Sequence, residues 1–178
     1  MRIIRGKYRG KRIVAPTRLP VRPTTDFAKE ALFNIIENMF HIEQLKVLDL
    51  FCGTGNISFE FASRGAEDIL SVDKHFGCIR FVFDTAKSLE FDQLRTYKAD
   101  AFKFIEKTEE SFDLIFADPP YALKNLSALP DLIIANNLLA QDGILILEHG
   151  DDIQFENHPN LLMHRKYSSV NFSFFKPE

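Results

Sequence analysis

From Leu45 onward, short apolar runs alternate with stretches that have helical periodicity. The apolar runs cover residues 47–51, 69–72, 94–98, 112–117 and 144–147, and the helical stretches cover 57–64, 76–89, 102–107 and 126–138. Short apolar runs bounded by turn residues are typical of strands buried on both faces, and their alternation with helices favours a parallel, doubly wound sheet. The last two runs, 162–167 and 170–175, predict an antiparallel pair at one edge. The predicted fold class is therefore α/β.

The first 22 residues differ in charge from the rest of the 178-residue chain. They carry eight Lys or Arg and no Asp or Glu, which leaves 14 basic residues against 25 acidic ones in the remainder. A basic arm on an acidic body is the asymmetry expected of an extension that binds a polyanion. The interleaved apolar residues and turn glycines, which together predict a β-hairpin, are Ile3, Ile4, Gly6, Tyr8, Gly10, Ile13 and Val14.

A helix is predicted next, over residues 28–40. Its apolar residues recur at helical spacing, and the sequence 23–26 supplies a proline stop followed by candidate capping residues. One face of this helix would pack on the body and tie the arm to it. We therefore expect a single domain over residues 1–178, made of the arm (1–26) and a helix with a sheet core (27–178).

The most demanding local sequence is Asp118-Pro119-Pro120-Tyr121, directly after the fourth predicted strand. Proline fixes its own φ and pushes the preceding residue toward extended geometry, so the pair forms a stiff corner beyond the carboxyl end of the strand. Open α/β sheets bind ligands at that edge. A carboxylate, backbone carbonyls and an aromatic ring together can hold a planar exocyclic amine and stack on its ring. The alternative is a turn that ends the strand with a solvated Asp.

A second turn, Cys52-Gly53-Thr54-Gly55, follows the first strand of the predicted sheet. Its glycines allow a ligand to approach the backbone, and Asp73 follows Gly53 by twenty residues, a spacing that places a carboxylate near a ribose diol. A nicotinamide dinucleotide uses the same geometry. S-adenosylmethionine is favoured because no glycine opens the turn and because the negative charge of Asp49 suits a cationic sulfonium better than a pyrophosphate.

Together these motifs resemble a known family. The sequences 49–55, 100–101 and 118–121, with Asp73, are similar to class I S-adenosylmethionine-dependent methyltransferases that act on exocyclic amines. The sequences 2–11, 22–26 and 29–34 narrow the resemblance to the RsmD family of bacterial 16S ribosomal RNA guanine-N2 methyltransferases. The resemblance covers nearly the whole chain. One departure is Phe27, where the family usually has Arg.

The resemblance implies a Rossmann-like class I methyltransferase fold, S-adenosylmethionine as the cofactor, and a role for each motif. The residues expected to bind the cofactor are Asp49, Phe51, Cys52, Gly53, Thr54, Gly55, Asp73, Lys74, Asp100 and Ala101. The residues expected to receive a flipped guanine and act in catalysis are Asp118, Pro119, Pro120 and Tyr121. The residues expected to bind ribosomal RNA are Arg2, Arg5, Lys7, Arg9, Lys11, Arg12, Arg22 and Thr24.

The reaction expected at the corner is methylation of the N2 amine of a guanine in small-subunit (16S) ribosomal RNA. Hydrogen bonds from the amine to the Asp118 carboxylate and the Pro119 carbonyl would direct its lone pair at the methyl group, while Tyr121 stacks on the extruded base. Other functions stay open: a DNA or RNA adenine-N6 methyltransferase, a protein-glutamine methyltransferase, a non-catalytic RNA-binding module, or a nicotinamide dehydrogenase.

Further features of the sequence bear on cellular location, metal binding and partners. No apolar run is long enough to cross a membrane, and the N-terminus lacks the apolar segment of a signal peptide. Cys52 and Cys78 have neither metal-ligand nor disulfide spacing, and the five histidines are scattered. We expect a cytoplasmic, monomeric enzyme without a metal, whose partner is ribosomal RNA or an assembling ribosomal particle.

Overall fold

The computed structural model of the chain describes residues 1–17, 19, 24–120, 123 and 125–177. Seven strands of this described part form one sheet, in the order β3-β2-β1-β4-β5-β7-β6. The strands are β1 (Lys46–Asp49), β2 (Asp68–Asp73), β3 (Leu94–Lys98), β4 (Phe112–Ala117), β5 (Leu139–His149), β6 (Leu161–Tyr167) and β7 (Val170–Phe175). The first five strands pair in parallel, and β7 pairs antiparallel with β5 and β6. The predicted α/β fold with an antiparallel C-terminal edge is confirmed.

Both faces of the sheet are covered by helices. They are α1 (Asp26–Met39), α2 (Asn56–Ser63), α3 (Phe76–Ser88), α4 (Ala101–Lys107) and α5 (Leu129–Ala135). Successive strand side chains point to opposite faces, so Val47 and Leu48 of β1 belong to two different buried clusters. The cluster around Val47 takes in α1, α2 and α3, and the cluster around Leu48 takes in α4 and α5. None of the described helices is long and apolar enough to cross a membrane.

Strand β5 is longer than the apolar run at 144–147 predicts. It begins at Leu139 and continues through Gln141, Asp142 and Gly143, where the pairing with β4 is irregular. Asp142 has φ of 63°, and a Cβ on Gly143 would come within 2.9 Å of the Phe112 carbonyl oxygen. The N-terminal part of this strand is not predicted from hydrophobicity, because that prediction assumes regular alternation of apolar residues, and polar side chains at an irregular pairing interrupt it.

The N-terminal arm folds back on itself, but its ladder is shorter than a full hairpin. Among the described residues of the arm, one isolated antiparallel bridge is present, between Arg2 and Arg12. The turn of the arm rests on the C-terminal end of α2, where the amide of Lys7 donates to the Ser63 carbonyl oxygen over 2.7 Å. Gly6 has φ of +86°, and a Cβ there would lie 1.8 Å from the same oxygen. Only glycine therefore fits at the point where the arm crosses α2.

A buried cluster of charges joins the arm, α1 and α2. The Glu60 carboxylate accepts hydrogen bonds from the backbone amides of Ile4 (2.8 Å) and Arg5 (3.0 Å) and from Arg64 Nε (2.9 Å). Lys29 Nζ lies within 3.3 Å of the same carboxylate and donates to the Arg2 carbonyl oxygen over 2.7 Å. Burial lowers the pKa of Lys29, and Glu60 opposes that shift. The arm is therefore fixed to the core by its backbone, not only by its apolar side chains.

Candidate active site

A cavity of about 430 Å³ opens at the carboxyl ends of β1, β2 and β4. This volume is in the range of small-molecule sites, and the position is where open α/β sheets bind ligands. Of the predicted cofactor residues, those that line it are Asp49, Phe51, Cys52, Gly53, Thr54, Asp73, Lys74, Asp100 and Ala101. The predicted catalytic residues Asp118, Pro119 and Pro120 line the same cavity, whereas Tyr121 lies outside the described residues. Two separate sequence motifs thus meet at one site.

The glycine turn and Asp73 are locked together. Asp73 Oδ2 accepts from the amide of Gly53 over 3.0 Å, and Oδ1 accepts from the amide of His75 over 2.8 Å. A carboxylate oxygen has two lone pairs, so each oxygen can still accept from a ligand hydroxyl. Gly55 closes the turn with φ of 78° as the N-cap of α2. It shapes the turn from behind, because a Cβ there would meet the side chains of Phe59 and Val82 at about 3 Å.

Asp49 behaves differently from the sequence-based prediction. It is buried, and its Oδ2 accepts from both the amide and the hydroxyl of Ser58. Burial raises the pKa of Asp49 to about 7, against the opposing effect of those hydrogen bonds. Burial therefore favours the neutral form of Asp49 more than water would. This residue thus favours a cationic ligand less strongly than a fully ionised carboxylate would.

Asp100 lines the cavity and directly precedes α4. Its Oδ1 accepts from the amides of Phe102 (3.1 Å) and Lys103 (3.3 Å), which makes it the N-cap of this helix. Ala99, Ala101 and Phe102 line the cavity beside it. This side of the cavity is therefore an apolar surface with one carboxylate. Phe102 was not among the residues predicted from the sequence to line the site.

Asp118 follows the last residue of β4 and is partly exposed to the cavity. Its desolvated surroundings, followed by the neighbouring carboxylates of Glu148 and Asp49, raise the pKa of Asp118 well above its ordinary value. The corner is closed by the amide of Leu123, which donates to the Pro120 carbonyl oxygen over 2.8 Å. Asp118 therefore presents to the cavity a carboxyl group whose ionised form is stabilised by any hydrogen-bond donor that a ligand brings.

Glu148 and Thr24 were not recognised together from the sequence. Glu148, at the end of β5, is buried, and its Oε2 accepts from Thr24 Oγ1 over 2.9 Å. The carbonyl oxygen of Thr24 accepts in turn from Asn56 Nδ2 over 3.1 Å. Thr24 was predicted to contact RNA, but the structure buries it in the cavity wall, where it orients a carboxylate. No local pattern reveals a contact between residues 124 positions apart.

The basic residues of the arm fall into two groups. Arg2 pairs with Asp26 (3.0 Å) and Arg5 pairs with Glu37 (2.6 Å), in both cases near the surface. The exposed residues for which the described chain has no acidic partner within 4.0 Å are Lys7, Arg9, Lys11 and Arg12. Arg22 lies outside the described residues.

Phe27, the departure from the family pattern, is 69% exposed on α1. It makes an edge-to-face contact with Tyr167, with 6.2 Å between ring centroids. The described cavity does not include it.

A family model described as "Conserved hypothetical protein 95" matches residues 1–176. The chain belongs to this family. It is 37% identical over 171 residues to the Bacillus subtilis protein named "Putative rRNA methyltransferase YlbH", covering 93% of this chain and 92% of that one. It is 30% identical to ribosomal RNA small subunit methyltransferase D of Haemophilus influenzae, covering 85% of this chain and 80% of the relative. The predicted membership of the RsmD family is confirmed.

Solved structures share the fold of this RsmD family member. The hypothetical protein TTHA0928 of Thermus thermophilus superposes with a TM-score of 0.86 at 25% identity, covering 99% of each chain. The 16S rRNA N2 G1207 methyltransferase RsmC of T. thermophilus, in complex with AdoMet and guanosine, superposes with a TM-score of 0.70 at 18% identity. That likeness covers 90% of this chain and 45% of RsmC. The predicted Rossmann-like methyltransferase fold is therefore confirmed.

Proposed function

We propose that this RsmD family member uses S-adenosylmethionine to methylate the exocyclic N2 amine of a guanine in small-subunit ribosomal RNA. The observation that carries the proposal is that the 118–120 corner and the glycine turn line one cavity. Family membership and the names of the relatives support the reaction class. The T. thermophilus RsmC structure, with AdoMet and guanosine bound to the same fold, supports the choice of cofactor and base.

The cavity fits S-adenosylmethionine, which supplies a methyl group on a positively charged sulfonium. The Asp73 carboxylate keeps free acceptor positions for the ribose hydroxyls, and Gly53 lets the backbone approach the ligand closely. The apolar wall of Ala99 and Phe102, next to Asp100, suits an adenine ring with its exocyclic amine. Asp49 and Cys52 also line the cavity, and we assign them to the methionine end, where a positive charge brought close to Asp49 would favour its ionised form.

The corner would orient the guanine amine. The Asp118 carboxylate accepts one N–H of the amine and the Pro119 carbonyl the other, which favours a pyramidal nitrogen whose lone pair faces the methyl group. Donors brought by the base also stabilise the ionised form of Asp118, whose pKa is raised by desolvation and by Glu148. The methylated amine becomes acidic, so its proton passes to water or to Asp118 after the transfer. Positioning and electrostatics are the source of the rate.

The arm would hold the RNA. The basic side chains at 7, 9, 11 and 12 are exposed on a segment whose backbone is fixed to α2, so phosphates can bind to a rigid surface. The target base must then be extruded to reach the cavity. We retain as predictions that the enzyme acts in the cytoplasm, works as a monomer and requires no metal.

Nucleoside mass spectrometry tests the proposal. Unmodified small-subunit RNA, free and in assembled small subunits, is incubated with the purified protein and S-adenosylmethionine and then digested to nucleosides. We expect N2-methylguanosine to appear in at least one of the two substrates. The appearance of N6-methyladenosine instead would assign the chain to the adenine-N6 class, and the absence of any methylated nucleoside would favour a non-catalytic RNA-binding protein.

A further inference from the structure

Glu148 lies beside Asp118 at the carboxyl edge of the sheet. Ala117 of β4 pairs in parallel register with Leu147 of β5, so the next residue of each strand brings the two carboxylates side by side. Asp118, Pro119 and Glu148 line a small recess, and the first two also line the main cavity. The second carboxylate is therefore a direct neighbour of the residue that we assign to the guanine amine.

The Glu148 carboxylate is oriented by a hydroxyl group and is not paired with a cation among the described residues. Its Oε2 accepts from Thr24 Oγ1, and among the described residues no Lys, Arg or His lies within 4.0 Å of it. The neighbouring His149 is committed elsewhere, because its Nε2 meets Ser173 Oγ at 2.8 Å and its Nδ1 meets the Gly150 carbonyl oxygen at 2.8 Å. A buried carboxylate next to a second carboxylate is unfavourable unless a ligand brings donors to the pair.

We propose that Glu148 is a specificity-determining residue that accepts the N1–H of the guanine whose N2 amine is held by Asp118. This inference rests on the proposed function. The Watson–Crick edge of guanine presents adjacent donors at N1 and N2, so two adjacent carboxylates match it. Adenine presents an acceptor at N1, which the ionised form of the carboxylate repels and a protonated form would bind. The pKa of Glu148 is raised to about 7, so this selection operates at a pH above that value. Glu148 thereby selects guanine before the methyl transfer, and the Thr24 hydroxyl holds the carboxylate in position.

Thr24 also gives the arm a direct influence on this selection. It precedes Thr25, the N-cap of α1. Its backbone carbonyl oxygen accepts from Asn56 of α2, and its hydroxyl donates to Glu148. The carboxylate is therefore oriented by residues at the junction of the arm with the core. We expect Thr24→Val to weaken guanine binding while preserving the charge that discriminates between bases.

The test compares nucleosides that share the N2 amine but differ at N1 and in the O6 of guanosine, and the Glu148→Gln variant isolates the effect of N1. At pH 8, above the raised pKa of Glu148, the protein with S-adenosylhomocysteine is titrated by NMR with guanosine, which has N1–H, and with 2-aminopurine riboside, whose N1 is an acceptor. We expect the wild type to bind guanosine about 10–100-fold more tightly, the effect of one hydrogen bond to a charged group. In Glu148→Gln the side-chain amide can donate to the N1 acceptor, so the preference should fall to about threefold or less.

A matched control and an independent readout separate this role from a structural one. Glu156→Gln changes an exposed carboxylate outside both cavities and should retain the wild-type preference. A purely structural Glu148 would make Glu148→Gln weaken both nucleosides equally, and that unchanged ratio would overturn the proposal. Equal affinities in the wild type would also overturn it, without need of any variant. Failure of the proposed function would appear separately, as the absence of N2-methylguanosine in the RNA assay.

Discussion

Lys29 Nζ lies 3.3 Å from Glu60 Oε2, and only 1% and 0% of the two side chains are exposed to solvent. Glu60 also accepts from two backbone amides of the arm and from Arg64. A single carboxylate therefore links the arm to both α1 and α2. The complete buried network costs the folded protein little free energy. The loss of one partner is strongly destabilising, because it leaves a buried charge without compensation.

Replacement of Glu60 should destabilise the whole protein. In Glu60→Ala, Lys29 stays buried without its counter-ion and two arm amides lose their acceptor, so we expect a loss of about 3–5 kcal/mol in the free energy of unfolding. Urea denaturation measures this difference. Asp84→Ala is a suitable control because it breaks an exposed pair with Arg80, which is worth less than about 1 kcal/mol. Similar losses in the two variants would contradict the assigned importance of the network.

The arm should bind RNA through its unpaired cations. We expect the combined change of Arg9, Lys11 and Arg12 to Ala to weaken binding to small-subunit RNA and to reduce the slope of log affinity against log salt by up to about one per lost phosphate contact. The change of Arg2 and Arg5 to Ala should have a smaller effect, because these charges are already paired within the protein. Affinity measured across a salt series compares the two variants. Equal slopes in both variants and the wild type would remove the arm from the RNA interface.

Asp118 should matter for turnover far more than for cofactor binding. Asp118→Ala removes an acceptor for the guanine amine but leaves the glycine turn and its bond to Asp73 in place. We expect the rate of methyl transfer to fall by about 10²–10³, while the increase in melting temperature caused by S-adenosylhomocysteine stays near the wild-type value. Radiolabelled methyl transfer and thermal unfolding give the two readouts. A variant that lost cofactor binding to the same extent would place Asp118 on the cofactor rather than on the base.

Asp49 should make stability depend on pH. Its pKa is raised from 3.8 to about 7 by burial, so between these values the folded protein keeps a proton that the unfolded chain releases. The contribution of Asp49 to stability is therefore present at low pH and is lost as pH rises through 7. Relative to wild type, Asp49→Asn should gain up to about 2–3 kcal/mol in the free energy of unfolding between pH 5 and pH 8. The pKa of Glu148 is also raised to about 7, but this residue is present in both proteins.

Urea denaturation of both proteins at the two pH values measures that change. A difference between variant and wild type that does not vary with pH would show that Asp49 titrates as an ordinary surface Asp does.

The sequence predicted the parts of this molecule whose signals are local. Strand β4 was placed at its observed bounds because its apolar run is short and bounded by turn residues, and both cavity motifs were recognised because turn chemistry demands particular residues. The burial of Lys29 could not be predicted, since it depends on a partner 31 positions away on another helix. The contact of Thr24 with Glu148 could not be predicted either, because the two residues are 124 positions apart in the sequence. Periodicity identifies the face of an element, but it does not identify the residue that the face will meet.

Helix α2 begins at the glycine turn of the cavity and ends at Ser63, on which the arm rests. Its eight residues span about 12 Å at 1.5 Å per residue. One inserted residue would rotate the far end by about 100° and carry Ser63 away from Gly6. The helix therefore acts as a spacer of fixed length between the arm, where we propose that RNA is held, and the cavity, where we propose that the methyl group is transferred. Among relatives, we expect insertions and deletions to accumulate in loops and to spare residues 56–63.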